Sequence, residues 1–162
     1  MNIYEPLVQD FMTLQPQTIE GKENVETAKG MMSRFSIRHL PVVNDGIVAG
    51  ILSERELNIA AGIECIDPKQ LLVMDMCSER PYVVHPDTTL REVVDVMAKK
   101  HFGSAIVMEN TKLVGIFTTV DACRALHNLL NDAVQESNRE CTQKFKFFLK
   151  PDRKVVGGGK VS

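Results

Sequence analysis

The sequence contains an internal duplication. Residues 7–60, moved forward by 65 positions, fall on residues 72–125 without a gap. Leu7-Val8-Gln9-Asp10 meets Leu72-Val73-Met74-Asp75, and Pro16 meets Pro81. Met32 meets Met97, Val42 meets Val107, Gly50-Ile51 meets Gly115-Ile116, and Ala60 meets Ala125. Between these identities the apolar pattern holds. A repeat of this length is too long for a solenoid unit and suits a tandem pair of small α/β units. Two copies packed face to face create related clefts, where function is expected to lie.

At 162 residues the chain has the size of one compact domain or two closely packed half-domains. Trp is absent, so the core must be built from Val, Ile, Leu and the eight Met. No apolar run approaches the ~20 residues that cross a bilayer, and the first residues lack the basic and apolar regions of a signal peptide. A cytoplasmic protein with no membrane contact is the expectation. Cys65, Cys77, Cys123 and Cys141 show neither a C-x-x-C pair nor metal-ligand spacing, so reduced thiols and no metal site are expected. Charge is uneven: residues 139–162 carry seven basic and two acidic side chains, and residues 1–138 carry 12 and 19. An acidic body with a basic tail is the one oddity of composition.

Within each copy the signals run in one order. Extended segments Phe11–Pro16 and Met76–Pro81 lead into short strands at Gln17-Thr18-Ile19 and Tyr82-Val83-Val84. Asn24 is the expected cap of a helix whose buried side holds Val25, Ala28, Met31, Met32 and Phe35. Its counterpart begins at Thr89, with Glu92 completing a capping box, and carries Leu90, Val93, Val94, Val96 and Met97. Leu40–Val43 and Ile47–Leu52 flank Asn44-Asp45-Gly46 as a hairpin, matched by Ser104–Met108 and Leu113–Phe117. Second helices start after Ser53 and Thr118. The order is β-α-β-β-α, twice.

The chemistry concentrates at Gly115-Ile116-Phe117-Thr118-Thr119-Val120-Asp121. Glycine lets a ligand approach the backbone. The hydroxyls of Thr118 and Thr119, with the N–H groups of the following helix, can hold an anion. Asp121 in the first helical turn can accept from the vicinal diol of a ribose. No set of nucleophile, base and oxyanion donors can be assembled, so no enzyme activity is expected.

Duplication, element order, the Leu40-Pro41-Val42-Val43 strand and the Gly-hydrophobic-x-Thr-x-x-Asp motif together resemble a cystathionine β-synthase (CBS) domain pair, or Bateman module, over roughly residues 5–130. The resemblance implies an α+β fold (an α/β sandwich) in which two tandem β-α-β-β-α repeats, residues 5–64 and 70–130, pack through their sheets with pseudo-two-fold symmetry. Residues 131–162 are left as a basic extension of unassigned structure. It also implies an adenosine ligand (AMP, ADP, ATP or S-adenosylmethionine) in a cleft between the repeats, with no required cofactor. Asp121 would hold the ribose and Thr118 and Thr119 the phosphate. The adenine would lie near Met12, Gln17, Thr18 and Ile37, with Arg38 and His39 as cationic contacts.

The first repeat departs from the pattern: Ser53 is kept, but Glu56 stands where Asp is expected, and the facing segment around Gly103 lacks the Arg-His pair. The second cleft, with Ser53, Glu56, Tyr82 and Gly103, is therefore expected to be the weaker. The reading is a stand-alone regulatory adenine-nucleotide sensor that forms a disc-like homodimer and acts on a protein partner. Nucleic acid is disfavoured despite the basic tail. The alternative is an interaction and dimerisation scaffold with empty clefts.

Overall fold

The computed structural model describes residues 5–62 and 67–148, the side chains of the last helix as far as Gln143. Cys65 and the tail beyond Phe148 lie outside the described residues. The chain divides after Arg124 into two units. The first holds both repeats up to the opening of the last helix.

The first repeat runs β1 (Thr13–Leu14), β2 (Ile19–Glu20), α1 (Val25–Phe35), β3 (His39–Asn44), β4 (Ile47–Ser53) and α2 (Glu54–Ala61). The second runs α3 (Val73–Met76), β5 (Val83–Val84), α4 (Leu90–Lys100), β6 (Ser104–Glu109), β7 (Lys112–Thr118) and α5 (Thr119–Phe148). A single 3-10 turn at Val8–Asp10 is the counterpart of α3. Neither of these short turns was expected from the sequence.

The offset of 65 holds residue by residue in the backbone. Ile19 pairs in parallel with Val42, and Val84 with Val107. His39 faces Ser53, and Ser104 faces Thr118. Both hairpins shift register at the same place, between Val42 and Val43 and between Val107 and Met108. Helices α1 and α4 each end in a left-handed residue, Ser36 and His101. At the first hairpin Asp45 and Gly46 both have positive φ, 49° and 82°, which is the backbone that an Asp-Gly type I′ turn requires.

Local chemistry sets the helix starts. Asn24 Oδ1 accepts from the Thr27 N–H at 2.8 Å, and Thr89 Oγ1 accepts from the Glu92 N–H at 3.2 Å. Val25, Ala28 and Met32 are buried on α1, and Leu90, Val93 and Met97 on α4. Phe35, expected in the core, is 40% exposed. It is the last residue of α1.

The repeats trade their edges. β1 of the first repeat pairs antiparallel with β7 of the second, Thr13 opposite Ile116, giving a sheet of order β1-β7-β6-β5. The reciprocal contact joins Ile51 of β4 to Ser78, through bonds of 3.0 and 2.8 Å between their main chains. Val73 of the second repeat is fully buried among Val25, Ala28, Leu40 and Leu52 of the first. A buried Val contributes about 1.5–3 kcal/mol, so each half is completed by the other. The expected packing of repeat on repeat thus runs through swapped sheet edges and helix starts.

In the second unit, α5 continues from Ala125 as helix to Phe148. The residues from Leu126 to Gln143 are exposed, with Leu126, Leu130 and Val134 four apart on one face of the helix.

Candidate functional site

A cavity of about 510 Å³ opens in the first unit where the end of β7 and the start of α5 face the segments 13–17 and 35–39. Of the residues expected in the main cleft, Gln17, Ile37, Arg38, His39, Thr118, Thr119 and Asp121 line it. Met12 and Thr18 do not. Met12 instead lies against Gly115, where an added Cβ would come within 2.4 Å of its sulfur. The absence of a side chain at 115 thus serves the close approach of the first repeat's edge. Thr18, half-buried, immediately precedes β2.

Asp121 is 3% exposed and heavily engaged. Its Oδ2 accepts from the Thr118 N–H at 2.9 Å and from the Thr118 hydroxyl at 2.7 Å. Its Oδ1 accepts from Arg124 at 2.9 Å. A carboxylate offers about four acceptor positions, so three are taken. The Thr118 hydroxyl, expected as an anion donor, is turned onto Asp121 and receives the Asp121 N–H at 3.4 Å. The Thr119 N–H is spent on Gly103 O at 3.1 Å. The anion-holding capacity of this helix start is therefore smaller than expected, with the Thr119 hydroxyl as its remaining side-chain donor.

Sequence reasoning missed Arg124, Phe35 and Val120 as cavity residues. Arg124 was findable: three residues after Asp121 on a helix, it stands one turn above the carboxylate. Ile59 holds the equivalent place in the first repeat, so the two motifs differ in charge as well as in Asp against Glu.

Arg38 is exposed and, among the described residues, pairs with no carboxylate. His39 beside it is half-buried. Burial and the Arg38 charge hold its imidazole below the ordinary value, with Glu56 and Glu54 opposing. His39 is thus neutral near pH 7, and Arg38 is the uncommitted cation of the cavity.

The residues expected in the second cleft are engaged with neighbours. Glu56 accepts from the Ser53 N–H at 2.8 Å and from the Ser53 hydroxyl, a capping box for α2. Tyr82 stacks on Phe102 with ring centroids 5.7 Å apart. The face of Gly103 is covered by the His39 ring, whose Nε2 would lie 2.6 Å from an added Cβ. A second groove, about 480 Å³, opens between α1 and α2 and shares Ser36, Ile37 and Arg38 with the main cavity. Among the described residues no three His, Cys, Asp or Glu side chains converge as metal ligands.

Comparison with known proteins accords with this architecture. The CBS domain family model matches residues 8–61 and 73–128. The uncharacterized protein YlbB of Bacillus subtilis (strain 168) is 30% identical over 141 residues, covering 82% of this chain and 95% of that protein. Among solved structures, the CBS domain pair of protein MJ0100 in complex with 5′-methylthioadenosine and S-adenosylmethionine has a TM-score of 0.70 at 21% identity, covering 77% of this chain and 98% of that one. CBSX2 in complex with AMP has a TM-score of 0.66 at 23% identity, covering 76% and 98%. With two matched repeats and their edges exchanged at a constant offset, the chain belongs to the CBS domain family.

Proposed function

We propose that this chain is a regulatory module that binds an adenosine ligand (AMP, ADP, ATP or S-adenosylmethionine) in the cavity between β7–α5 and the segments 13–17 and 35–39. The observation that carries the reading is the convergence on one 510 Å³ space of a buried carboxylate, Asp121, the Thr119 hydroxyl and an unpaired guanidinium, Arg38. Those groups suit a ribose and a phosphate. Two structural relatives hold adenosine compounds, MJ0100 and CBSX2. The ligand would touch both repeats and so favour one relative arrangement of them, a shift of population that a partner or second copy could read.

Homodimer formation belongs to the same reading, supported by the exposed Leu126, Leu130 and Val134 stripe on α5. Among the described residues no helix is long and apolar enough to cross a membrane, and a cytoplasmic site of action is part of the proposal.

The scaffold reading has one observation in its favour: Asp121 already caps α5 and holds Arg124. A thermal-shift series with AMP, ADP, ATP, S-adenosylmethionine, NAD and GTP separates the two. A ligand present at a hundred times its dissociation constant adds about 2.7 kcal/mol of stability. The sensor reading expects a rise with an adenosine ligand that is lost in Asp121→Asn, which keeps the shape of the cap. No rise with any of the six compounds selects the scaffold.

A further inference from the structure

The feature that the ligand reading leaves unexplained is the ion pair inside the cavity. Arg124 lines the same space as Arg38 and Asp121, yet it is spent on Asp121 Oδ1 at 2.9 Å. With Thr118 supplying two further bonds, Asp121 retains about one free acceptor position. A vicinal diol needs two. The diol can therefore be accepted in full only if Arg124 lets go.

The two partners differ in a way that permits this. The Asp121 side chain is 4% exposed and fixed by Thr118, whereas the Arg124 side chain is 64% exposed. An ion pair with one end this open to solvent is worth little, and its long side chain gains rotamer freedom on release. The guanidinium so released stays tethered at the cavity wall. Arg38 lies on the opposing segment, uncommitted, and His39 beside it is neutral.

We infer that Arg124 is an exchangeable latch: ribose hydroxyls displace it from Asp121, and it then joins Arg38 on the ligand's 5′-phosphate. This inference rests on the proposal that the cavity takes an adenosine ligand. It goes further by naming the class the site prefers, a nucleoside bearing a 5′-phosphate over the unphosphorylated nucleoside. For plain adenosine, the diol replaces the Asp121–Arg124 pair at a small net cost, and the freed guanidinium finds nothing on the ligand to bind. For the 5′-monophosphate, the same break frees a cation for a charge-assisted bond. The first repeat, with Ile59 at the equivalent position, has no such latch.

The latch makes opposite predictions for two ligands in one variant. Dissociation constants for AMP and adenosine are measured by competition with a fluorescent adenosine nucleotide, on the full chain and on Arg124→Gln. The substitution is at an exposed site, and circular dichroism and melting temperature confirm that the variant folds. Loss of a guanidinium–phosphate bond should weaken AMP about 10-fold. Adenosine, no longer competing with Arg124, should bind about two- to fivefold tighter. Arg124→Lys should return part of the AMP affinity. If Arg124→Gln weakens both ligands equally, or adenosine alone, Arg124 only positions Asp121 and the latch is wrong. If neither ligand binds the unaltered chain, the sensor reading itself fails, which is a separate result.

Discussion

Three glycines that receive the same substitution should give three different results, because what matters is the neighbour each Cβ would meet. At Gly50, on β4, an added Cβ would lie 2.6 Å from Ser78 O and 2.9 Å from Cys77 Sγ. Ser78 O is main chain, and it accepts from the Ile51 N–H at 3.0 Å while the Ser78 N–H donates back to Ile51 at 2.8 Å. Making room therefore separates the exchanged edge. Two backbone bonds at about 1 kcal/mol each, less about 0.5 kcal/mol from the stiffer unfolded chain, together with overpacking strain of about 1–3 kcal/mol, put Gly50→Ala at about 2.5–4.5 kcal/mol destabilising. Gly115 is the counterpart on β7, but its nearest neighbour is the Met12 sulfur at 2.4 Å, with Thr13 O at 3.1 Å. An unbranched Met can bend away, so Gly115→Ala should cost about 1 kcal/mol. Gly30, mid-way along α1, has nothing within 4 Å, and Gly30→Ala should stabilise by about 0.5–1 kcal/mol. Urea unfolding followed by circular dichroism reads all three as midpoints at constant slope. Gly50→Ala within 0.5 kcal/mol of the parent, or less harmful than Gly115→Ala, would refute the exchanged edge as described.

Other consequences follow from titration, reactivity and capping. His39 is held low by burial and Arg38, so the unfolded chain takes up a proton first as pH falls. Stability from this site is complete above about pH 6.5 and declines below it. Urea midpoints at pH 7.5, 6.5 and 5.5 should therefore fall less in His39→Gln than in the parent, and parallel pH profiles would contradict the assignment. Burial, aided by Glu79, pushes the Cys77 thiol up, so at pH 8 a thiol reagent should modify it more slowly than the exposed Cys123 and Cys141. Equal rates, read by mass spectrometry of peptides, would count against it. Asn24→Ala and Thr89→Ala should each cost about 1 kcal/mol. Asn24→Ala should cost more, because Asn24 Oδ1 also accepts from the Thr27 hydroxyl at 2.9 Å. Denaturation midpoints decide it.

Much of this architecture is legible in the sequence. The constant offset of 65, the caps at Asn24 and Thr89 and the hairpin at Asp45-Gly46 are local or periodic signals, and each reappears in the backbone. What was not legible depends on distant partners. Nothing near Thr13 says that it will pair with Ile116, or near Ile51 that it will meet Ser78, because those registers are set only when the second copy is present. Met12 was expected under a purine and is instead consumed by Gly115. That contact spans a hundred residues. The commitment of the Thr118 hydroxyl to Asp121 escaped for a different reason: a hydroxyl that can serve a ligand can equally serve its own helix, and composition does not choose. The length of α5 could have been read further, since Leu126, Leu130 and Val134 continue the helical spacing past the motif.

One cavity, built on Asp121, is proposed to take an adenosine ligand. Isothermal titration calorimetry of AMP into the full chain tests it most directly, alongside Asp121→Asn and Glu56→Gln. The expected result is one ligand per chain, an affinity at least 10-fold weaker in Asp121→Asn, and little change in Glu56→Gln, whose carboxylate serves Ser53 and α2. No binding heat at any temperature tried, or binding that Asp121→Asn leaves intact, would contradict it.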